Sequence, residues 1–398
     1  AVRAREEFAG KFQQVTSPVM AKGVEDTAFY VYSPLASANE VGGDLSSPTC
    51  GISRFHAENA LRSLRQRGGR LTTTTHDTKR TEDARARIHV LSEIPKQWSA
   101  AVSRWSKLTR GWRQDVDGAP APRPVDEYLF YQCFLGIWPE GSVDDGARAR
   151  LTERLQNYME KATREAKQNT SWVNPNAEYD HAVRQFVAKC LEPGRENRFL
   201  THFAAFHKRI AVAGYYTALS QTVLKLLSPG VPDIYQGQEL WDFSLVDPDN
   251  RRPVDYDRRR ALLEQVRAGW NTRPEQRAEF AAALVHAPQD ERLKLFVTWR
   301  LLTLRSRLAE LFLRGDYVPL AVSGAATDHV IAFGWRARHA TESGDGELTQ
   351  QCPGIVVVVP RFWTKLFAAA ELDGRAIATT QPEQLWGDTH VEVPGIAG

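Results

Sequence analysis

The sequence predicts an α/β chain whose strand–helix rhythm is broken by a long helical block and gives way to a small antiparallel β domain. Three observations carry this. Two short runs, RLTTTT (70–75) and VPDIYQ (231–236), each follow a glycine and lead into polar side chains, as strands of an α/β unit do. Between them, from about residue 82 to 200, apolar residues recur at helical spacing. From about residue 315, the runs DYVPLAVSG, DHVIAFGWRAR and GIVVVVPRF alternate with turns bearing Gly and Asp. The expected division is a loop-rich segment with the first strand (1–81), a helical insertion (82–200), the second strand with the helices that follow (201–314) and the β domain (315–398).

Taken in order, residues 1–14 read as the end of an amphipathic helix, neither a signal peptide nor a start, and so as the middle of something longer. Residues 16–44 read as loop, punctuated at Pro34 and Gly42-Gly43. A helix over about 54–67 leads through Gly68-Gly69 into the first strand, where four threonines favour extended backbone. Thr81 then stands as a helix N-cap, with Glu82 and Asp83 in the first turn where the macrodipole favours them. Trp98, Val102, Trp105 and Leu108 form an apolar stripe assigned to the core. DGAPAPRP (117–124) reads as a linker between helices, and further helices follow at DEYLFYQCFLGIWP and ARARLTERLQNYMEKATREAKQN. A long apolar helix (203–227) stops at SPG, ahead of the short second strand and a loop dense in acids and aromatics.

Composition narrows the class. Of 398 residues, 42% are hydrophobic and 25% charged, as in soluble globular proteins. Fifty-one basic against 48 acidic residues leave a net charge of +3, so no nucleic-acid or anionic membrane partner is indicated. Cys50, Cys133, Cys190 and Cys352 are far apart, without CxxC spacing, which favours free thiols in a reducing cytoplasm over a disulfide framework or zinc site. No apolar run approaches the roughly 18 residues of a membrane span.

The chemistry-bearing residues gather where the two strands end. His76, Asp77, Lys79 and Arg80 follow the first; Tyr235 and Glu239 follow the second. Polar groups at the C-terminal ends of parallel strands are what a (β/α)8 barrel offers its substrate. Carboxylates and imidazoles hydrogen-bond sugar hydroxyls, and an oxocarbenium-like transition state wants nearby negative charge. Two plainer readings stand beside this: Asp77 could serve a turn, and Glu239 could pair a nearby arginine. The residues alone lead to an enzyme for sugars or sugar phosphates and no further.

A resemblance sharpens the reading. THDTKR resembles the fourth conserved region of glycoside hydrolase family 13, the α-amylase superfamily, and SPGVPDIYQGQE resembles its strand-eight segment. Together with VMAKGVEDTAFYVY, NEVGGD, VDPDNRRPVDY and LFLRGDYVPL they resemble the branch formed by the maltooligosyltrehalose synthases. The resemblance implies the C-terminal part of a (β/α)8 barrel, with the insertion between strands seven and eight and an all-β domain after it. It implies that Asp77 is the transition-state-stabilising carboxylate, holding the 2- and 3-hydroxyls in subsite −1, and that His76 hydrogen-bonds the same sugar. Lys79 and Arg80 match the cations of the motif and are expected near the acceptor glucose. Lys22, Glu25 and Asp26 match a loop over the reducing-end subsites, and Tyr235 and Glu239 support the site from the end of strand eight.

The implied reaction is an intramolecular transglucosylation, turning the reducing-end α-1,4 bond of a maltooligosaccharide into an α,α-1,1 link, with no cofactor and no metal. The superfamily's nucleophilic Asp and acid/base Glu lie on strands four and five, and no GxRxD segment precedes Asp77. The chain alone is therefore expected to be an inactive portion, completed by a missing N-terminal half. Two alternatives remain open: an α-amylase-like hydrolase or glucanotransferase, and a non-catalytic carbohydrate-binding fragment.

Overall fold

The computed structural model describes residues 2–47, 49–141, 143–337, 354–369 and 381–394. They form a mostly helical α/β structure divided into two compact units, each assembled from separated stretches of chain. The first comprises residues 1–48, 76–209 and 243–251; the second comprises 49–75, 210–242 and 252–398.

The first unit opens with a helix, Val2–Pro18, that buries none of its residues. It does not end near residue 14. It continues as a π-helix over Val19–Ala28 and a last α-helical turn, Phe29–Val31, so much of the loop expected over 16–44 is helical. Pro18 stands at the change of pitch: it lacks the N–H that would close the α-helical ladder, and its ring crowds the carbonyl four residues back. Beyond Tyr32 the chain leaves the helix, and Asn39 fixes the exit by donating Nδ2 to the carbonyls of Phe29 (3.0 Å) and Tyr32 (2.6 Å).

Helices Glu82–His89, Pro95–Thr109, Pro124–Ile137, Asp145–Ala166 and Ala177–Leu191 build the body of this unit. Two start with proline in the first turn, where the missing N–H costs nothing. Two are capped by side chains: Asp144 accepts from Ala147 N at 2.7 Å, and Asn176 from Tyr179 N at 3.0 Å. Their core is aromatic. Trp98 and Trp105 meet edge to face with centroids 5.6 Å apart, and Trp105 also packs on Tyr131, Phe203 and Phe206, as the apolar stripe predicts. Residues 117–124 are not the plain linker expected. Gln114–Val116 and Ala119–Ala121 pair as an antiparallel hairpin, closed by Asp117 (φ 55°) and Gly118 (φ 77°). Positive φ at both central residues matches strand twist, which is why Asp-Gly signals such turns.

In the second unit, helix Ile52–Arg65 leads to strand Arg70–Leu71, which runs parallel to Val231–Pro232. The β-branched run does not extend this ladder as expected. Thr72 donates its hydroxyl to Thr74 O at 2.7 Å, a local bond that competes with strand pairing. Gly230 (φ 130°) lets the two strands approach: a Cβ there would sit 2.7 Å from Leu71 Cγ and 2.8 Å from Gly69 O. Further along, Asp316–Pro319 and Ile355–Pro360 flank Val330–Arg336 in an antiparallel sheet, and Val322–Ser323 pairs with His390–Val391. Val357 and Val359 face the core with Phe312, Tyr317 and Trp335, while Val356 and Val358 face outward, the alternation of a sheet with one buried side. Helices Tyr256–Trp270, Pro274–His286 and Glu291–Arg307 complete the unit.

Cys50, Cys133 and Cys190 are free thiols; Cys352 lies outside the described residues. Among the described residues no helix is long and apolar enough to cross a membrane, and no His/Cys/Asp/Glu group could hold a metal ion.

Candidate active site

The HDTKR segment leaves the threonine run and enters the first unit as a turn at His76–Asp77. Its backbone is then fixed on both sides. Arg80 forms an isolated bridge with Leu245, and Thr81 N donates to Ser244 O at 3.0 Å. Thr81 stands at the N-cap position of helix Glu82–His89, as expected, but its side chain does not cap the helix; it exchanges hydrogen bonds with the Ser244 backbone instead. Asn250 donates Nδ2 to His76 O at 3.0 Å.

The opposite side is held by Glu40, from NEVGGD, which is 5% exposed. One of its oxygens accepts from Lys79 N at 2.7 Å and Val41 N at 2.9 Å; the other accepts from Arg80 N at 3.2 Å. Sequence reasoning quoted this stretch but did not single out Glu40. The available signal was an acid beside a Gly-Gly turn with no evident partner.

The side chains divide in their directions. Arg80 is 1% exposed. Its guanidinium donates to Asn39 O at 2.7 Å and to Tyr158 OH, on helix Asp145–Ala166, at 3.1 Å. Burial opposes its charge, yet the polar groups around it, Tyr158 first, hold it above the ordinary arginine value. It therefore points into the unit's interior, whereas the sequence suggested the neighbourhood of a sugar. Lys79 is equally buried, with Nζ 2.7 Å from Asp26 Oδ1, 3.9 Å from Asp77 Oδ1 and 5.9 Å from the Tyr30 ring centroid. Lys22 reaches the other oxygen of Asp26 at 2.5 Å. Partial burial would raise the Asp26 pKa, but hydrogen bonds from Lys22 and Lys79 outweigh it and hold the carboxyl below its usual range. Glu25, one residue earlier on the π-helix, accepts from Gly42 N at 3.1 Å, tying MAKGVEDTA to NEVGGD.

Asp77 is different: its side chain is 50% exposed. A carboxylate is thus left open to solvent on a turn whose following residues are among the most buried in the unit. His76 beside it is exposed as well. Such a pair can accept from and donate to vicinal hydroxyls and can face a developing positive charge.

Loop 243–251 is anchored from the helical block. Arg154 grips Asp249 with two nitrogens at 2.7 and 2.8 Å and donates to Phe243 O, while Lys161 donates to Asp247 O. Asn250 and Arg154 were not anticipated from sequence.

The structure brings Lys22, Glu25, Asp26, His76, Asp77, Lys79 and Arg80 into the first unit; Tyr235 and Glu239 belong to the second. There Glu239 pairs with Arg259 Nε at 2.5 Å, and Arg259 also donates to Gly237 O at 2.6 Å, so this carboxylate has the arginine partner that the plainer reading allowed. Tyr235 is half-buried, at the start of the turn closed by Gln238 N donating to its carbonyl.

No family model matches the chain. Proteins from Mycobacterium tuberculosis strains CDC 1551 and H37Rv that carry the name maltooligosyl trehalose synthase are 40% identical to it over 327 residues. The match covers 82% of this chain and 37% of theirs, so the chain spans little more than a third of the length of these relatives. The maltooligosyltrehalose synthase of Arthrobacter ramosus superposes with a TM-score of 0.74 at 33% identity, covering 96% of this chain and 42% of that one. Another maltooligosyl trehalose synthase structure gives a TM-score of 0.69 at 32% identity, over 90% and 48% of the respective chains.

Proposed function

We propose that this chain, which belongs with the maltooligosyltrehalose synthases by sequence and by fold, supplies Asp77 to an intramolecular transglucosylase. The whole enzyme would act on the reducing-end α-1,4 bond of a maltooligosaccharide. That bond breaks as a general acid protonates the leaving oxygen, and C1 forms an ester with a nucleophilic carboxylate. The released glucose turns, and its anomeric hydroxyl attacks C1, breaking the ester and freeing the carboxylate, while its proton passes to the acid/base; an α,α-1,1 link results. The nucleophile and the acid/base would come from the remainder of the longer protein. In this reading strands Arg70–Leu71 and Val231–Pro232 are the last two of a (β/α)8 barrel, residues 82–200 are an insertion between them, and the antiparallel strands after residue 315 belong to the β domain, which is not all-β as expected, since it also holds the short helices Trp363–Ala369 and Pro382–Trp386.

The observation that carries the reading is the half-exposed Asp77 carboxylate on a rigid, buried frame. A group meant to stabilise an oxocarbenium-like centre must not move as charge develops, because preorganisation is the source of the stabilisation. Glu40, Asp26 and Lys79 fix the turn, leaving Asp77 and His76 to hold the sugar in subsite −1. Lys22, Glu25 and Asp26 sit toward the reducing-end subsites, Lys79 and Arg80 hold this side of the site in shape, and Glu239 and Tyr235 act through their neighbours. The reattack requires that water be kept out, since water would convert the isomerase into a hydrolase. The helical block, through Tyr158 and Arg154, stiffens the segments that would form the cover.

The test is the product. The complete protein containing this chain, incubated with maltopentaose, is expected to give a non-reducing pentasaccharide with an α,α-1,1 linkage by NMR. Accumulation of reducing sugars instead would replace this reading with a hydrolase.

A further inference from the structure

Helices Tyr256–Trp270, Pro274–His286 and Glu291–Arg307 line an open pocket of about 400 Å³. Four arginines line it, Arg267, Arg277, Arg300 and Arg307, together with Trp270 and Trp299, and no carboxylate is among the lining residues. Two of the cations have an ordinary explanation: Arg267 and Arg307 lie in the last turns of their helices, where the macrodipole favours positive charge. Arg277 serves the last carbonyl of helix Tyr256–Trp270, whereas Arg300 lies within a helix and has no such explanation. The indole faces aim them: the Arg300 guanidinium sits 4.5 Å from the Trp270 centroid and 5.5 Å from Trp299. Arg277 lies 5.6 Å from Trp270 and donates Nε to its carbonyl at 2.9 Å; Arg267 lies 5.9 Å from Trp299.

Among the described residues none of these four guanidiniums is paired with a carboxylate. Other arginines of the same unit have partners of their own: Arg258 pairs with Glu291, Arg259 with Glu239 and Arg292 with Asp290, while Arg67 and Arg305 donate to main-chain carbonyls. Like charges gathered around one space repel one another unless an anion enters. Burial, and after it the neighbouring Arg307 and Arg277, hold Arg300 below the ordinary arginine value.

We propose that this pocket binds a small phosphate ester. Arginine forks match phosphate oxygens bidentately, the tryptophan faces hold those forks in place, and the volume suits one such molecule. A neutral maltooligosaccharide has no use for four cations, so the site is separate from the transglucosylase reading and does not rest on it. A sugar phosphate and a nucleotide share this chemistry.

Isothermal titration of the 398-residue chain at fixed ionic strength, with glucose 6-phosphate, ADP and inorganic phosphate as probes, tests it. At least one ester is expected to bind saturably at one site and more tightly than inorganic phosphate. Binding of ADP alone assigns the ester to a nucleotide; binding of glucose 6-phosphate alone assigns it to a sugar phosphate. Arg300→Met should weaken that binding about tenfold or more, since it deletes a charge-assisted fork. It should also leave the unliganded melting temperature unchanged or higher, because a like charge is gone. Should Arg300→Met fail to fold, the exposed Arg307→Gln should still weaken binding severalfold. Failure of both esters to bind, binding no tighter than inorganic phosphate, or undiminished binding in the variants would overturn the proposal.

Discussion

Lys79 and Arg80 are 1% exposed, and each is matched from within: Lys79 by Asp26, Arg80 by Asn39 O and Tyr158, both backbones by Glu40. Arg277 and Arg300, half-buried among three helices, face indole rings and, among the described residues, no carboxylate. The difference teaches where to look for function. A cation held inside by its own chain is scaffold, and what matters near it is the half-exposed carboxylate it supports, here Asp77. A cluster of cations left uncompensated is a place for something the chain does not supply.

The scaffold side of this comparison makes the largest stability forecast. Glu40→Ala leaves the buried N–H groups of Lys79 and Arg80 without their acceptor, at about 1–3 kcal/mol each, so a loss of roughly 3 kcal/mol in urea unfolding is expected. Glu40→Gln, which keeps one acceptor oxygen, should recover part of it. A loss under about 0.5 kcal/mol would remove Glu40 from the frame.

Acid separates two further contributions. His207 is 3% exposed, and burial, with Arg87 nearby, pushes its pKa well below 6.5. The unfolded chain therefore takes up a proton that the folded chain refuses, and stability falls as pH drops below about 6.5, by about 1.4 kcal/mol per unit until the folded value is reached. Asp26 acts later. Its folded pKa lies below 3.8, so its contribution is complete above about pH 4 and disappears as pH falls through the folded value. Unfolding curves from pH 7 to 3 for wild type, His207→Phe and Asp26→Asn should flatten in these two windows respectively. Coincident curves would mean that neither group reports on the fold.

Salt probes the uncompensated cluster and gives the smallest effect. Raising ionic strength screens the repulsion among Arg267, Arg277, Arg300 and Arg307, so the wild type should gain about 0.5 kcal/mol relative to Arg300→Met. Equal responses would show that the four charges do not feel one another.

Much of the fold was legible because helix signals are local. Helices at 54–67 and 203–227, and the Trp98–Trp105 stripe, follow from periodicity and Gly or Pro punctuation. What escaped depended on single residues acting against the run around them. Beyond Pro18 the chain stays helical through residues that read as a loop, and the Thr72 hydroxyl bonds locally where four threonines favour a strand. Asp117-Gly118 was visible as a hairpin signal but was absorbed into a Pro-rich linker. At the candidate site, the HDTK motif marked the turn at His76–Asp77, but Glu40, Arg154 and Asn250 hold their partners across 39, 95 and 174 residues of chain. Nothing local marks such partnerships. The interior direction of Arg80 was likewise invisible, since it is set by Tyr158, 78 residues away.

The central claim is that Asp77 is the functional group this frame exists to present, and kinetics of Asp77→Asn in the complete protein test it most directly. The change is nearly isosteric and keeps an acceptor oxygen, so ground-state binding of maltopentaose should survive in part. It removes negative charge facing an oxocarbenium-like centre, a loss of about 3 kcal/mol or more. The account therefore predicts a turnover number down by a hundredfold or more, about 2.7 kcal/mol at the least, with a nearly unchanged Michaelis constant and an unchanged circular dichroism spectrum. A turnover number within about threefold of wild type, a barrier shift of only roughly 0.7 kcal/mol, would make Asp77 a turn residue and contradict the account.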